Sequence, residues 1–247
     1  MIDGGDMNIL CVIPARGGSK GLKNKNIMSF LGKPLIGYTI DAAKESKIVN
    51  EIVVSTDDAK IARVVRQYGV EIINRPKKFA TDTSPIELSL RHAVNYLAKK
   101  RGYTADIIVW LQANIPIRKA GQIDNVVNKL IKSNADSAAT MHRVGSFPQW
   151  MKKRDKRGYL IPFMRNGKLY RRQDLEPLYL IDGSIVAMRK KVLMETESLK
   201  GVHVFMGKKV LGIVQEKKFT IEIDDRDSFG LAEFYLRRHI LEKRIRK

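Results

Sequence analysis

The chain has 247 residues, of which 44% are apolar, and its 46 Lys and Arg against 26 Asp and Glu give a formal net charge of +20. This length and apolar content exclude an intrinsically disordered chain, and the single cysteine excludes an intramolecular disulfide framework or a cysteine-rich metal site. The positive charge attracts polyanions, whether nucleic acid, acidic lipid or nucleotide, without choosing among them.

No apolar run approaches the roughly 20 residues that a membrane span requires. Residues 1–6 lack the basic-then-apolar pattern of a signal peptide. We therefore expect a soluble, cytoplasmic protein. The sequence contains no internal repeat, and we expect a single domain over 1–247.

The first predicted element is a buried strand over 8–14, which runs directly into the loop Pro14-Ala15-Arg16-Gly17-Gly18-Ser19-Lys20-Gly21. Small residues allow backbone N–H groups to approach an anion, and Arg16, Lys20 and Lys25 supply charge where a polyphosphate would lie. The loop fits neither the GxGxxG dinucleotide pattern nor the P-loop pattern. On these residues alone, a phosphate cradle and an ordinary turn with solvated lysines are equally good interpretations.

Strands and helices then alternate along the chain. Further strands are predicted over 51–55, 70–73 and 106–111, and the last is almost continuously apolar, as an interior parallel strand should be. Three helices are predicted from the signals at their ends: one opened by Pro34, one capped by Asp57 or Asp58 and ended by Gly69, and one opened by the capping box 84–87 and ended at Gly102.

This βαβ pattern predicts a parallel sheet covered by helices on both faces, with a binding crevice at the carboxyl ends of the strands. The cationic loop falls on that edge, as do the turns 55–58 and 112–116. From about 143 to 178 the pattern gives way to basic, aromatic and glycine-containing sequence, which we interpret as an inserted arm. The sheet resumes over 179–188, and a long helix from about 227 closes the chain.

Apolar and acidic residues alternate in Thr220-Ile221-Glu222-Ile223-Asp224-Asp225, which predicts a strand with Glu222 and Asp224 on one face. Two carboxylates about 7 Å apart on a strand can hold Mg²⁺ together with substrate phosphates and water. Taken alone, the pattern favours the solvated face of an edge strand. Set across the crevice from the cationic loop, it predicts transfer of a nucleotidyl group, which requires in-line positioning of an acceptor hydroxyl rather than an enzyme nucleophile.

Short motifs lie along nearly the whole chain: 13–22 with Lys25-Asn26, Ser55-Thr56-Asp57, Arg75-Pro76, Asp82-Thr83, Leu111-Gln112, Tyr170-Arg171-Arg172-Gln173-Asp174 and Ile221-Glu222-Ile223-Asp224. In this order they resemble the acylneuraminate cytidylyltransferase family, the CMP-sialic acid synthetases and their relatives. The resemblance implies a three-layer α/β fold like that of the nucleotide-diphospho-sugar transferases, which is Rossmann-like. It also implies a mostly parallel sheet with an inserted dimerisation arm.

The resemblance implies roles for the matched residues on the nucleotide side. Arg16, Lys25 and Asp224 are the implied catalytic residues, the two cations contacting CTP phosphates and promoting the departure of pyrophosphate. Asp224 and Glu222, which stands where the family usually has aspartate, are the implied Mg²⁺ ligands. The implied nucleotide-binding residues are Ala15, Gly17, Gly18, Ser19, Lys20, Asn26, Arg75, Asp82, Thr83 and Ile86.

On the acceptor side, the implied sugar-binding residues are Gln112, Arg172, Gln173 and Asp182. A guanidinium fork suits a carboxylate, so Arg172 would pair with the acid group of the sugar. Two segments depart from the family: Ala113-Asn114 replaces the usual Pro-Thr, and Asp182-Gly183-Ser184 replaces Asn-Gly-Ala. The acceptor stays open among sialic, legionaminic, pseudaminic and other acidic sugars.

The sequence thus predicts an Mg²⁺-dependent cytidylyltransferase that transfers CMP from CTP to the anomeric hydroxyl of a nonulosonic acid. The resemblance implies a homodimer formed through 143–175, and aromatic residues such as Trp150 in the arm favour packing across it. A CMP-Kdo synthetase or another sugar nucleotidyltransferase of the same fold is the alternative. A basic nucleic-acid-binding protein is a lesser one, so that nucleic acid is a disfavoured partner.

Overall fold

The computed structural model describes residues 7–19, 21–164 and 171–245, with side chains described to 238. Its strands are β1 (Ile9–Pro14), β2 (Ser29–Phe30), β3 (Lys33–Pro34), β4 (Glu51–Thr56), β5 (Glu71–Asn74), β6 (Ile107–Trp110), β7 (Ser137–Arg143), β8 (Lys152–Arg154), β9 (Leu160–Pro162), β10 (Tyr179–Arg189) and β11 (Val210–Val214). Its α-helices are α1 (Leu35–Lys44), α2 (Ala59–Arg66), α3 (Ile86–Arg101), α4 (Gln122–Ile131), α5 (Lys190–Glu195) and α6 (Arg226–Ile245).

Seven strands form one sheet in the order β11-β7-β10-β6-β1-β4-β5. Every neighbouring pair is parallel except those of β10, which runs antiparallel to both β6 and β7. The prediction of a mostly parallel α/β sheet is confirmed. The carboxyl ends of β1, β4 and β6 meet at one edge, which is where the predicted crevice falls.

Helices cover both faces of this sheet because successive side chains of a strand point in opposite directions. Cys11 and Ile13 of β1 pack in a cluster with residues of α1, α2 and α4 on one face. Leu10 and Val12 pack in a second cluster with residues of α3 and α5 on the other. Both clusters consist mainly of buried aliphatic side chains, so β1 lies at the centre of a three-layer core.

A third apolar cluster explains how the acidic pair is presented. Ile221 and Ile223 are buried with Phe30 and with Ala232 and Leu236 of α6. The segment 220–224 is not a strand, so the predicted edge strand is wrong: it is irregular chain laid across α6. The alternation of apolar and acidic residues still has its effect. Because the two isoleucines are buried against α6, the Glu222 and Asp224 side chains point to the opposite side, towards the cleft.

Two of the predicted helix-end signals, Asp58 and Gly102, act as expected, whereas α2 already ends at Arg66, three residues before the predicted Gly69. The Asp58 carboxylate accepts hydrogen bonds from the Lys60 and Ile61 N–H groups and so caps α2, and Gly102 ends α3 in the left-handed conformation. The capping box at 84–87 is wrong. The Ser84 hydroxyl accepts from the Thr81 N–H instead, and α3 begins at Ile86 after Pro85.

The predicted arm contains the antiparallel hairpin β8–β9, while residues 165–170 lie outside the described part. The hairpin exposes large apolar side chains, with Tyr159 and Leu160 69% and 68% exposed. Phe147 differs from them, since it is buried against Trp150 at a ring-centroid distance of 5.2 Å. The described helices include none that is both long and apolar enough to cross a membrane.

Candidate active site

The loop after β1 is fixed to the loop after β4 by backbone contacts. The Ala15 N–H donates to the Ser55 carbonyl at 2.9 Å, and the Gly17 N–H donates to Oδ1 of Asp57 at 3.0 Å. A Cβ at Gly17 would lie 2.8 Å from Oδ2 of Asp58, so the position has no room for a side chain. Gly18 takes a positive φ of 68°, which glycine adopts at little cost.

The same loop then returns towards the segment 220–224, which carries Glu222 and Asp224 and is called the acidic segment below. Nζ of Lys25 forms an ion pair with Oδ1 of Asp224, and the lysine side chain is only 15% exposed. The buried Asn26 side chain donates to the Arg16 carbonyl at 3.1 Å. Asn26 therefore holds the backbone that carries Arg16, in addition to its predicted role with the nucleotide. Lys20 lies outside the described residues.

Asn114, which follows β6, organises the two carboxylates. Its Nδ2 lies 3.0 Å from Oε1 of Glu222 and 3.2 Å from Oδ1 of Asp224, and its carbonyl accepts from the Ile223 N–H at 2.9 Å. Because Asn114 is itself buried, both acids are held towards one point on the wall of the cleft.

Glu222 is an acid in a poorly solvated place. Burial is the largest cause and raises its pKa above the usual range, while the hydrogen bond from Asn114 lowers it. The charge of Asp224 raises the pKa further, and that of Lys25 lowers it. Among the described residues no cation lies within ion-pair distance of this carboxylate. Glu222 is thus a half-buried acid with no cation in ion-pair contact among the described residues.

Arg75 provides a cation on the opposite wall. It is 5% exposed, and its Nη1 donates to the Ser89 hydroxyl at 2.8 Å, while its Nη2 lies 3.8 Å from Oδ1 of Asp57. Its Nε and Nη2 atoms are buried without a hydrogen-bond partner. Burial lowers the pKa of Arg75. The charge of Asp57 raises this pKa, and the charge of Arg16 lowers it further. An anion in the cleft would satisfy these donors.

Arg16 reaches the turn that precedes α3, where its Nη1 lies 2.6 Å from Oδ1 of Asp82. In that turn the Thr83 hydroxyl lies 3.4 Å from that of Thr81, on the exposed side. Ile86 begins α3 and contributes its side chain to the cleft wall.

Gln112 marks the other end of the cleft. Its Nε2 donates to Oε1 of Glu222 at 3.2 Å. Its Oε1 is buried without a partner and would lie 2.4 Å from a Cβ placed on Gly183. Asp182 does not reach this point, because its carboxylate accepts from the Thr140 hydroxyl at 2.6 Å and the Gln215 amide at 3.0 Å.

One cleft of about 600 Å³ brings these walls together. The predicted residues that line it are Arg16, Ser19, Lys25, Asn26, Arg75, Asp82, Ile86, Gln112, Glu222 and Asp224. Ala15, Gly17, Gly18 and Thr83 belong to the flanking loops without lining it. As ligand contacts, all these positions stay predictions.

Arg172 lies elsewhere in the described chain. It lines a second hollow of about 670 Å³ with His142, Arg143 and Lys217, beside the arm. Gln173 is exposed in the same short helical turn. Within one chain, the arginine predicted for the sugar carboxylate and the Gln112 end of the cleft are therefore parts of different cavities.

Sequence reasoning missed Asn114 and Ser89 as site residues. Asn114 was visible only as a departure from the familiar turn sequence, and its partners lie 108 to 110 residues further along the chain. Ser89 carries no signal of its own, because it is one small residue on the buried face of α3. Trp110, which belongs to the interior strand predicted over 106–111, is 7% exposed and also lines the cleft.

The mostly parallel sheet with a polar cleft at its carboxyl edge defines the class of α/β proteins that bind a ligand outside the ends of their parallel strands. A solved structure of CMP:2-keto-3-deoxy-manno-octonic acid synthetase complexed with CTP superposes with a TM-score of 0.66 over 94% of this chain and 99% of the other, at 21% identity, which supports the fold. Residues 10–220 match the family described as cytidylyltransferase. The chain belongs to the cytidylyltransferase family.

Two curated relatives indicate which branch it resembles. The chain is 36% identical to a CMP-N,N'-diacetyllegionaminic acid synthase of Legionella pneumophila over 78% of this chain and 82% of that protein. It is 30% identical to an N-acylneuraminate cytidylyltransferase of Streptococcus agalactiae serotype III over 90% of this chain and 52% of that protein. The chain thus spans about half the length of the latter relative.

Proposed function

We propose that this protein transfers CMP from CTP to the anomeric hydroxyl of a nonulosonic sugar acid, with Mg²⁺ as cofactor and pyrophosphate as the second product. One observation carries the proposal: a single cleft sets the cations Arg16, Lys25 and Arg75 against the carboxylates Glu222 and Asp224. Membership of the cytidylyltransferase family selects the cytidine nucleotide, and the relatives named for legionaminic and acylneuraminic acids support the acceptor class.

In this reaction the acceptor oxygen forms a bond to the α-phosphorus of CTP. The bond from that phosphorus to the α–β bridging oxygen breaks, its electron pair leaves with pyrophosphate, and the hydroxyl proton passes to water. Arg16 and Lys25 would stabilise the negative charge that builds on the departing group, and the unpaired donors of Arg75 would hold a phosphate oxygen. The enzyme contributes position and charge rather than a covalent intermediate.

The residues of the cleft fit a divalent cation. Glu222 is half-buried and has no ion-pair partner among the described residues, and Asp224 shares the Asn114 amide with it. A pair of carboxylates suits Mg²⁺, since this ion binds through one or two carboxylates plus substrate phosphates. When bound, Mg²⁺ would act as a Lewis acid towards the phosphate oxygens.

The exposed arm supports a homodimer as part of this proposal. Tyr159, Leu160, Ile161 and Phe163 are each at least half exposed on the β8–β9 hairpin, and apolar surface of this kind is usually covered by a partner. A second copy would cover it and would bring a second Arg172 hollow into the assembly. Light scattering should give twice the chain mass, and a monomer that retains full activity would contradict the dimer.

The activity is tested by measuring pyrophosphate release with each of the four nucleoside triphosphates against a panel of nonulosonic and ulosonic acids. Products are identified by mass spectrometry. We expect a CMP-sugar from CTP and a nonulosonic acid only. Equal use of all four triphosphates would refute the proposal, and product from Kdo alone would favour the CMP-Kdo synthetase alternative.

A matched pair of variants links this activity to the cleft. Arg16→Ala removes a cation from the cleft and should lower kcat/KM by at least a hundredfold. Arg63→Ala removes an exposed cation from α2 and should leave it unchanged. Equal activities of the two variants would separate the reaction from this cleft.

A further inference from the structure

Arg118 lies four residues after Asn114, outside the set of residues assigned to substrates. Its Nη2 donates to the Gln112 carbonyl at 2.8 Å and to the Ser184 carbonyl at 3.1 Å. Its Nη1 donates to the Thr39 hydroxyl at 2.9 Å and to the Ile115 carbonyl. One guanidinium therefore joins the end of β6, the side of α1 and the middle of β10.

The partners of Arg118 are neutral oxygens. No carboxylate lies within ion-pair distance of it among the described residues. Burial lowers the pKa of Arg118 to about 10, while Cys11 and Asp182 act in the other direction. Partial burial of a cation without a carboxylate partner lowers the stability of the fold. We therefore expect Arg118 to act through the carbonyl groups that it binds.

Two of those carbonyls belong to loops that meet at the Gln112 end of the cleft. The register of β10 against β7 shifts between Ile181 and Val186, which opens a bulge there. In the bulge Gly183, at φ 67°, packs so closely on Gln112 that a Cβ would meet its Oε1 at 2.4 Å. The gap between the bulge and the end of β6 therefore sets where the Gln112 side chain stands.

We propose that Arg118 is a positioning residue for the acceptor: by binding the Gln112 and Ser184 carbonyls together it fixes the Gln112 amide against Glu222. The proposal rests on the proposed function, in which Gln112 contacts the acceptor sugar. The planar fork of an arginine offers five N–H donors in fixed directions, whereas a lysine ammonium on the same backbone cannot bind carbonyls of both loops at once.

The contacts of Arg118 predict a selective effect. They reach Thr39, Gln112, Ile115 and Ser184, and none of them reaches Arg16, Lys25 or Arg75. Loss of the fork should therefore loosen the acceptor end of the cleft and leave the triphosphate end in place.

The test compares Arg118→Lys with Arg189→Lys. Arg189 is the matched control, because its guanidinium likewise donates to neutral backbone carbonyls, those of Leu130, Ser133 and Ala135, but lies at the C-terminal end of β10. We expect Arg118→Lys to raise the acceptor KM at least tenfold while the CTP KM stays within twofold. Arg189→Lys should lower Tm without moving either KM.

Hydrogen exchange gives a readout that does not depend on turnover. Arg118→Lys should speed exchange at 113–115 and 183–185 and leave 15–19 and 25–27 unchanged. An acceptor KM that stays at the wild-type value, or a rise of both KM values together, would overturn the proposal. If Arg118→Lys folds poorly, Arg118→Gln, which keeps an amide donor, takes its place.

The two proposals fail in different ways. If the wild-type protein makes no CMP-sugar from any acid tested, the proposed function is refuted, and the exchange experiment still decides whether Arg118 orders the two loops. If the wild type is active and the exchange rates of both loops are the same in the variant, Arg118 is not a positioning residue.

Discussion

The close approach of Gly21 to the acidic segment gives a sharp prediction. A Cβ at this position would lie 2.2 Å from the backbone carbonyl oxygen of Asp224. The constraint at this position is therefore one of space between the two segments. Gly21→Ala must therefore push the cationic loop and the acidic segment apart.

The size of the effect follows from this contact. Since Cβ atoms are essentially never found within 3.0 Å of another heavy atom, the two segments must separate by about 1 Å. Overpacking of this kind costs about 1–3 kcal/mol of unfolding free energy. A displacement of about 1 Å between groups that act on one substrate lowers the rate on the order of a hundredfold. We expect that loss in kcat/KM, with a lower Tm.

The assay is pyrophosphate release from CTP, measured beside a thermal melt. Gly230→Ala is the matched control, because its added Cβ would meet nothing within 4 Å and Gly230 lies in α6, away from the cleft lining. If Gly21→Ala keeps activity within twofold of the wild type and an unchanged Tm, then the loop and the acidic segment do not act as one rigid unit, and the reasoning fails.

Three further predictions concern the acids and the buried thiol. Asp224→Asn should abolish Mg²⁺-dependent turnover with little change in Tm, since the Asp224 side chain is 59% exposed. The control Asp227→Asn, at an exposed position on α6, should keep its activity. Near-wild-type turnover of Asp224→Asn would refute the assignment of Asp224 as a metal ligand. Asn114→Ala should weaken Mn²⁺ binding, followed by electron paramagnetic resonance, by about tenfold because it frees both carboxylates, whereas Asn128→Ala on the exposed side of α4 should not; equal affinities of the two variants would contradict the role given to Asn114. Cys11 has a pKa raised by burial to about 12, so it should stay unreactive towards a thiol reagent at pH 8 and react at once in denaturant; rapid labelling of the native protein would show that β1 opens.

Much of the fold could be predicted because its signals are local. The apolar run of β1, the cap at Asp58 and the terminal Gly102 each specify an element within a few residues. Parallel topology then places every β-to-α loop on one edge of the sheet. For this reason Arg16 and Gln112 could be assigned to one crevice from the sequence alone.

The parts that could not be predicted depend on distant or competing hydrogen-bond partners. The segment 220–224 has the alternation of a strand, yet its backbone pairs with Asn114 rather than with a neighbouring strand, and α6 receives its apolar side. Ser84 stands in a capping sequence, but its hydroxyl accepts a hydrogen bond from the Thr81 N–H instead of capping α3. A local sequence pattern does not predict these outcomes, because they depend on which of several competing hydrogen bonds forms in the folded chain.

Arg172 illustrates a different limit. The sequence motif assigns it to the sugar acid, but the described chain holds it beside the arm in a separate hollow. A motif specifies which residues belong to a reaction, whereas the distance between two cavities depends on how segments of one chain, or of two chains, are arranged.

The two tryptophans of the chain divide between its two surfaces of interest. Trp110 lies in the floor of the cleft with its ring 6.1 Å from that of Phe205, and Trp150 lies in the arm, 39% exposed. Indole emission depends on its surroundings, so Trp150→Phe would leave a protein whose indole fluorescence comes from the cleft alone. Such a variant would allow nucleotide titrations without any label, and Trp110→Phe would give the complementary optical signal for association of the arm.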